Sequence, residues 1–319
     1  MAEGGLRRDI GLTGSAFIAF NGVVGAGIFA LPGPLHASFG GFAPWLFPIF
    51  GLLALLIALP FARLAALFLQ SGGPVAYTAG FGPAVSFQVG WLYYVAKVTS
   101  IAANANVFAT YAGSLWAPLG TVVGRIALIT ALIGALAFVN VVGVKRAVRA
   151  LDLLTLLKAV PLIGLALWGL SHAAQGLPAP GPVPPLSALE ASALVLLYAF
   201  VGFENASVPA EETADPGRNI PRALVFTIAA TATLYFLVQL GYAAIMPAGP
   251  APEAPLAAYA QALIGPAGAT CLAVCAWAAA QSKWESWAML AGFVLAGFLL
   301  YGLARIQRGR NEQNRPNQS

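Results

Sequence analysis

An all-α polytopic membrane protein is the fold class this sequence predicts, and three observations carry it. Hydrophobic residues make up 59% of the 319 residues and charged residues only 8%, where a soluble domain carries about 25% charged. Mean hydropathy is +0.81. Apolar runs recur along the chain, most of them near the roughly 20 residues that cross a bilayer, and the charges collect in the short segments between them. The net charge of +5 therefore reads as lysine and arginine that orient helices, and no nucleic-acid partner is expected. Cys271 and Cys275 lie four apart on one helical face, where two thiols suit small packing residues better than a metal site. No metal or cofactor is expected. His36 and His172 lie near helix ends. The first apolar run after Arg7 and Arg8 is too long for a cleavable signal peptide and lacks a clear small-residue cleavage site.

Taken in order, the runs cover about 11–35, 42–69, 84–113, 121–143, 151–171, 187–211, 221–246, 257–281 and 284–306. Arg7 and Arg8 put the N-terminus inside, and Lys145, Arg146, Arg149, Arg218 and Arg222 mark further inside loops, while loops of opposite parity such as 172–186 are nearly uncharged. This predicts a multi-pass protein of a cell membrane, a bacterial inner membrane, with the bilayer as its surroundings and a cytoplasmic N-terminus.

The first run is interrupted. Phe20-Asn21-Gly22-Val23-Val24-Gly25-Ala26-Gly27-Ile28-Phe29-Ala30-Leu31-Pro32 carries three glycines and a proline inside an uncharged stretch. Glycine weakens a helix and admits close approach to the backbone. In lipid a helix break is tolerated only where protein or a water-filled cavity surrounds it. A broken helix whose freed N–H and C=O groups face a site is one reading, and a close helix-packing face is the other. After the second run, Arg63 can snorkel to the interface, and Ser71-Gly72-Gly73-Pro74 breaks the chain before a short interfacial helix. The third run places Lys97, Asn104 and Asn106 within a span. A charge there is costly and faces protein or water, as a functional group or as half of a structural ion pair. Lys158 sits about two turns inside the fifth run. It can carry a proton, stand in for a bound cation, or snorkel to the nearby face.

The sixth run repeats the interruption. In Tyr198-Ala199-Phe200-Val201-Gly202-Phe203-Glu204-Asn205-Ala206-Ser207-Val208-Pro209 a glycine again follows valine, and Pro209 follows Gly202 at the same seven-residue offset as Pro32 follows Gly25. Interrupted helices at matching places in two halves point to a transporter binding site. Glu204 needs a partner such as Lys97, Lys158 or a proton, unless it is only a latch on the broken helix.

Asn21-Gly22-Val23-Val24-Gly25-Ala26-Gly27-Ile28-Phe29 resembles the first-helix motif of the amino acid–polyamine–organocation superfamily, and Phe200 to Pro221 resembles its sixth-helix and following-loop signature. The resemblance covers about residues 8–280. It implies a leucine-transporter-type fold with discontinuous first and sixth helices, in which two inverted repeats alternate access to a central site. It further implies that N–H groups of Ala26 and Gly27, beside Gly25, bind a substrate carboxylate, and that carbonyls of Val23, Tyr198 and Val201, beside Gly202, bind its amino group. Lys158 matches a lysine that replaces a sodium ion in sodium-independent members, Glu204 matches an acid of proton-sensitive members, and Tyr198 stands where some members place an aromatic gate. Lys97 and Asn104 join Lys158 and Glu204 as candidates for coupling or gating.

The second half departs from the family. Relatives of about twelve helices have five in the second repeat, and the runs after 187 leave it incomplete. The expected organisation is one transmembrane domain over 1–319, with a first repeat at about 8–172, a partial second repeat at about 187–306 and a basic cytoplasmic tail at 305–319. Nine spans would put that tail outside, against the positive-inside rule, so one of the last two runs is expected to be short, tilted, re-entrant or docked without crossing. The function expected is sodium-independent secondary transport of an amino acid, proton-coupled or by exchange, and no enzyme. The alternative is a non-transporting or partner-dependent shortened homologue. A homo-oligomer is left open.

Overall fold

The computed structural model describes residues 8–142, 147–173, 176 and 178–281. The run at 284–306, the basic tail, and the loop charges Arg7, Lys145 and Arg146 lie outside the described residues. Within them the chain is helical, and the one β-type feature is an isolated bridge between Ile10 and Thr213.

The first apolar run forms α1 (Leu12–Val23), α2 (Ala26–Ala30) and α3 (Pro32–Phe39). Leu31, at φ −80° and ψ −33°, keeps α2 and α3 in one helical path. The second run is α4 (Ala43–Leu67), followed by the short α5 (Pro74–Tyr77) where a connection with a short helix was expected. The long α6 (Pro83–Leu115), the short α7 (Ala117–Gly120), α8 (Val122–Val142) and α9 (Ala147–Ser171) complete the first half. The second half holds α10 (Leu186–Tyr198), α11 (Pro216–Ile245), α12 (Pro255–Ile264) and α13 (Pro266–Gln281), with 3₁₀ turns at Phe203–Ser207 and Ala210–Glu212. Proline opens α3, α5, α6, α11, α12 and α13, the position where its missing N–H costs nothing and its fixed φ suits the first turn.

Two boundaries differ from the sequence reading. α11 starts at Pro216, five residues ahead of the apolar run, because Arg218 and Arg222 fit a solvent-reaching first turn as well as a loop. The eighth run is two helices. Gly265 adopts φ +71° between α12 and Pro266, so the chain turns there and α12 lies against α2, α3, α9 and α11.

The core forms where α1, α4, α9 and α11 pack together, with Phe29, Phe47, Phe200, Tyr235 and Leu162 almost wholly buried. The outward faces are apolar as well: Leu52 is 60% exposed, Val122 75% and Leu194 81%. Apolar surface on this scale is a liability in water and the ordinary state of a helix face against lipid tails. Among the described residues, three helical stretches, Pro32–Leu67, Leu186–Ser207 and Pro216–Ile245, are long and apolar enough to cross a membrane by length and composition.

Both ends of the bundle are tied together. At one end Ile10 N–H donates to Glu212 O at 3.1 Å, Ala214 N–H to Ile10 O at 2.8 Å, and Gly72 N–H to Val208 O at 3.0 Å. The N-terminal segment, the α4–α5 connection and the loop before α11, all three expected on one side, thus meet. At the other end Gly41 and Gly181 bring the α3–α4 corner against the segment before α10, so closely that a Cβ on Gly41 would strike Ala179 O.

Candidate functional site

The first break lies where the glycines put it. α1 stops at Val23, Val24 turns out of helical conformation at ψ 88°, Gly25 extends at φ −134° and ψ −148°, and α2 starts at Ala26. A helix end leaves carbonyls without partners and carries the negative end of the macrodipole. Lys158 of α9 meets that need. Its Nζ donates to Asn21 O at 3.1 Å and to Val24 O at 3.0 Å, and the residue is 0% exposed. Tyr235 OH donates to Val23 O at 3.3 Å. Across the break, the Ala26 N–H at the start of the next half-helix donates to Asn104 Oδ1 at 2.6 Å. Gly27 faces the second break, since a Cβ there would sit 2.9 Å from Ala199 Cβ.

The second break follows α10. Phe200 and Val201 close tight turns onto Leu197 O and Tyr198 O, and Gly202 then takes φ +121°, a conformation that side chains other than glycine's rarely tolerate. The two breaks cross at glycines: a Cβ on Gly22 would strike Gly202 O, and one on Gly202 would strike Gly22 O. Glu204 caps the second break. Its Oε2 accepts the Gly202 N–H at 2.9 Å, and its Oε1 accepts Lys97 Nζ at 2.9 Å. Lys97 also donates to Asn205 Oδ1, which accepts Tyr93 OH at 3.1 Å, and the Lys97 ammonium lies 4.5 Å from the centre of the Tyr93 ring. Of the partners the sequence offered Glu204, Lys97 lies at hydrogen-bond distance from it.

These contacts share one helix face. Tyr93, Lys97, Ser100, Asn104 and Tyr111 follow one another at intervals of 4, 3, 4 and 7 residues along α6, the spacing of a single stripe. They reach Asn205, Glu204, the Tyr198 hydroxyl (3.2 Å to Ser100 Oγ), Ala26 and Phe29 O (2.7 Å from Tyr111 OH) in turn. α6 therefore holds both broken helices at once. Sequence reasoning named Lys97 and Asn104 but missed Tyr93, Ser100, Asn205, Tyr111 and Tyr235. The polar periodicity of α6 was the available signal for three of them. Val201 stands 46% exposed beside the break, and Lys158 reaches the carbonyls of the first break.

The sequence profile of the amino acid permease family matches residues 10–306. The chain is 29% identical over 293 residues to the cadaverine/lysine antiporter of Escherichia coli (strain K12), covering 89% of this chain and 65% of that one. It is 27% identical over 258 residues to an uncharacterized transporter of Mycobacterium tuberculosis, covering 72% of this chain and 54% of the other. The chain thus spans about two thirds of the first relative's length and about half of the second's. Helices broken at matching glycines, a buried lysine on the first break and a profile match over nearly the whole sequence lead to one assignment: the chain belongs to the amino acid permease family.

Proposed function

We propose that this chain carries an amino acid across a cell membrane by alternating access, without sodium, and coupled to protons or to exchange. The observation that carries this reading is the Lys158 ammonium on the carbonyls of Asn21 and Val24, 3.1 and 3.0 Å away. Carbonyls at the end of a half-helix form a cation site, and the lysine tethered there supports reading its ammonium as the stand-in for a sodium ion. The substrate carboxylate takes the N–H groups of Ala26 and Gly27 at a half-helix N-terminus, displacing Asn104 Oδ1 from Ala26. The amino group takes carbonyls at the breaks, among Val23, Tyr198 and Val201. The two interrupted helices belong to inverted repeats of about 8–172 and 187–306, with the N-terminus in the cytoplasm of a bacterial cell. Glu204, tied to Lys97, is the acid through which protons act. Homology to permeases and an antiporter supports this reading.

Uptake of radiolabelled amino acids into proteoliposomes tests it. Uptake is expected without sodium and to rise with an inward proton gradient or a preloaded amino acid. Lys158→Ala should lower it at least about tenfold, through loss of two charge-assisted hydrogen bonds of roughly 1.5–3 kcal/mol each. Strict sodium dependence of the wild type would overturn the role of Lys158, and absence of uptake under every gradient would favour a non-transporting homologue.

A further inference from the structure

We propose that Lys97 is a tethered cation that sets specificity: its ammonium fills the acidic subsite of Glu204 and Asn205, so the site takes amino acids with uncharged side chains and rejects substrates with a second ammonium. This rests on the transporter reading above and names its substrate class.

Lys97, Lys158 and Glu204 are the buried ionisable side chains of formal charge among the described residues. Lys158 is committed to backbone carbonyls of the first break. Lys97 instead reaches the second break with the three contacts that recognise an alkylammonium ligand: a carboxylate oxygen at 2.9 Å, an amide oxygen, and a tyrosine ring face at 4.5 Å. Carboxylate, carbonyl and π-face are the usual means of holding such a group. Here the chain supplies the ammonium itself. The other Glu204 oxygen is held by the Gly202 N–H at 2.9 Å, so both carboxylate oxygens are engaged.

The subsite is also placed to read the far end of a substrate. Lys97 and Asn104 are seven residues apart on the α6 stripe, roughly 10 Å along the axis, comparable to the length of an extended lysine. Asn104 marks the Ala26 N–H where the carboxylate binds, and Ser100 between them holds the Tyr198 hydroxyl. A lysine or diamine entering this site would bring a second ammonium against a pair whose charges already cancel. It would have to expel Lys97 into a space without another acid among the contacts described. Like-charge juxtaposition of this kind is how a site rejects the wrong partner. The antiporter most of this chain aligns with is named for cadaverine and lysine, which makes those two compounds the informative probes.

The experiment measures binding to the purified full chain in nanodiscs by scintillation proximity, with lysine, its uncharged isostere 2-aminoheptanoic acid, and cadaverine. The wild type should bind the isostere at least about tenfold more tightly than lysine, and cadaverine more weakly still, within the range a misplaced polar group produces. Lys97→Met should shift the lysine-to-isostere ratio at least about tenfold towards lysine, and adding Glu204→Gln should abolish that shift. The wild-type ratio requires no variant, so it decides even if Lys97→Met fails to fold. A wild type that binds lysine as well as the isostere overturns the proposal, as does a Lys97→Met protein that binds the isostere with an unchanged ratio. Wild type that binds none of the three and no other amino acid overturns the transporter reading itself.

Discussion

Two lysines buried in the same bundle do different work because of what faces them. Lys158 donates to two backbone carbonyls at the end of α1, and Lys97 meets a carboxylate. Removing one member of a buried ion pair leaves an uncompensated charge, which costs about 3–5 kcal/mol. Lys97→Ala is therefore expected to lower thermal stability in detergent, and Lys97→Ala with Glu204→Gln to recover most of the loss. A second expectation concerns Asn104, whose Oδ1 accepts the Ala26 N–H at 2.6 Å. Asn104→Asp puts a fixed carboxylate on the donor assigned to the substrate, so amino acid affinity should fall at least about tenfold, as measured by radioligand binding. Unchanged affinity would place the substrate carboxylate elsewhere.

At the scale of the element, α12 is the part that departs most from expectation. The eighth run was read as one stretch at 257–281, and the chain instead divides it, with the short α12 packed against α2, α3, α9 and α11. Tyr259 explains how it is held. Its hydroxyl donates to Leu165 O at 3.3 Å, and the ring tip fits between Gly169 of α9 and Gly241 of α11, at either of which a Cβ would strike that hydroxyl. At the other end of α12, Tyr111 OH accepts the Leu256 N–H at 3.1 Å while donating to Phe29 O at 2.7 Å, so α6, α2 and α12 share one hydroxyl. Gly241→Val should expel Tyr259 at an overpacking cost of about 1–3 kcal/mol. The check is a lower unfolding midpoint together with faster labelling of a cysteine placed at Ala258.

For the molecule as a whole, the loop charges and the contacts agree on which segments lie together. The N-terminal strand-like contact at Ile10, the Ser71–Gly73 connection and the loop at 207–215 meet at one end, and the 172–186 segment meets the α3–α4 corner at the other. An even number of spans follows if the basic tail stays with the N-terminus. Cysteine accessibility at position 315 should then report the cytoplasmic side. A periplasmic 315 would mean that nine spans stand and that charge does not orient the last helix.

Composition and run length alone determined that the chain is a helical membrane protein, because the bilayer demands apolar segments of fixed length with every backbone group satisfied. The glycines at 22, 25 and 202 determined where the helices break, since backbone conformation is a local property. Lys97, Asn104, Lys158 and Glu204 were legible as candidates because charge and amide groups inside a span are costly. Which of them meet was not legible. Lys97 and Glu204 are 107 residues apart, and Lys158 and Val24 134. Their pairing is decided by how α6 and α9 pack across the two breaks, a long-range arrangement that no window of sequence contains. The same holds for Asn104 on the Ala26 N–H and for Tyr259 between two glycines: the residue types were visible from the start, and only the tertiary packing assigned each its partner.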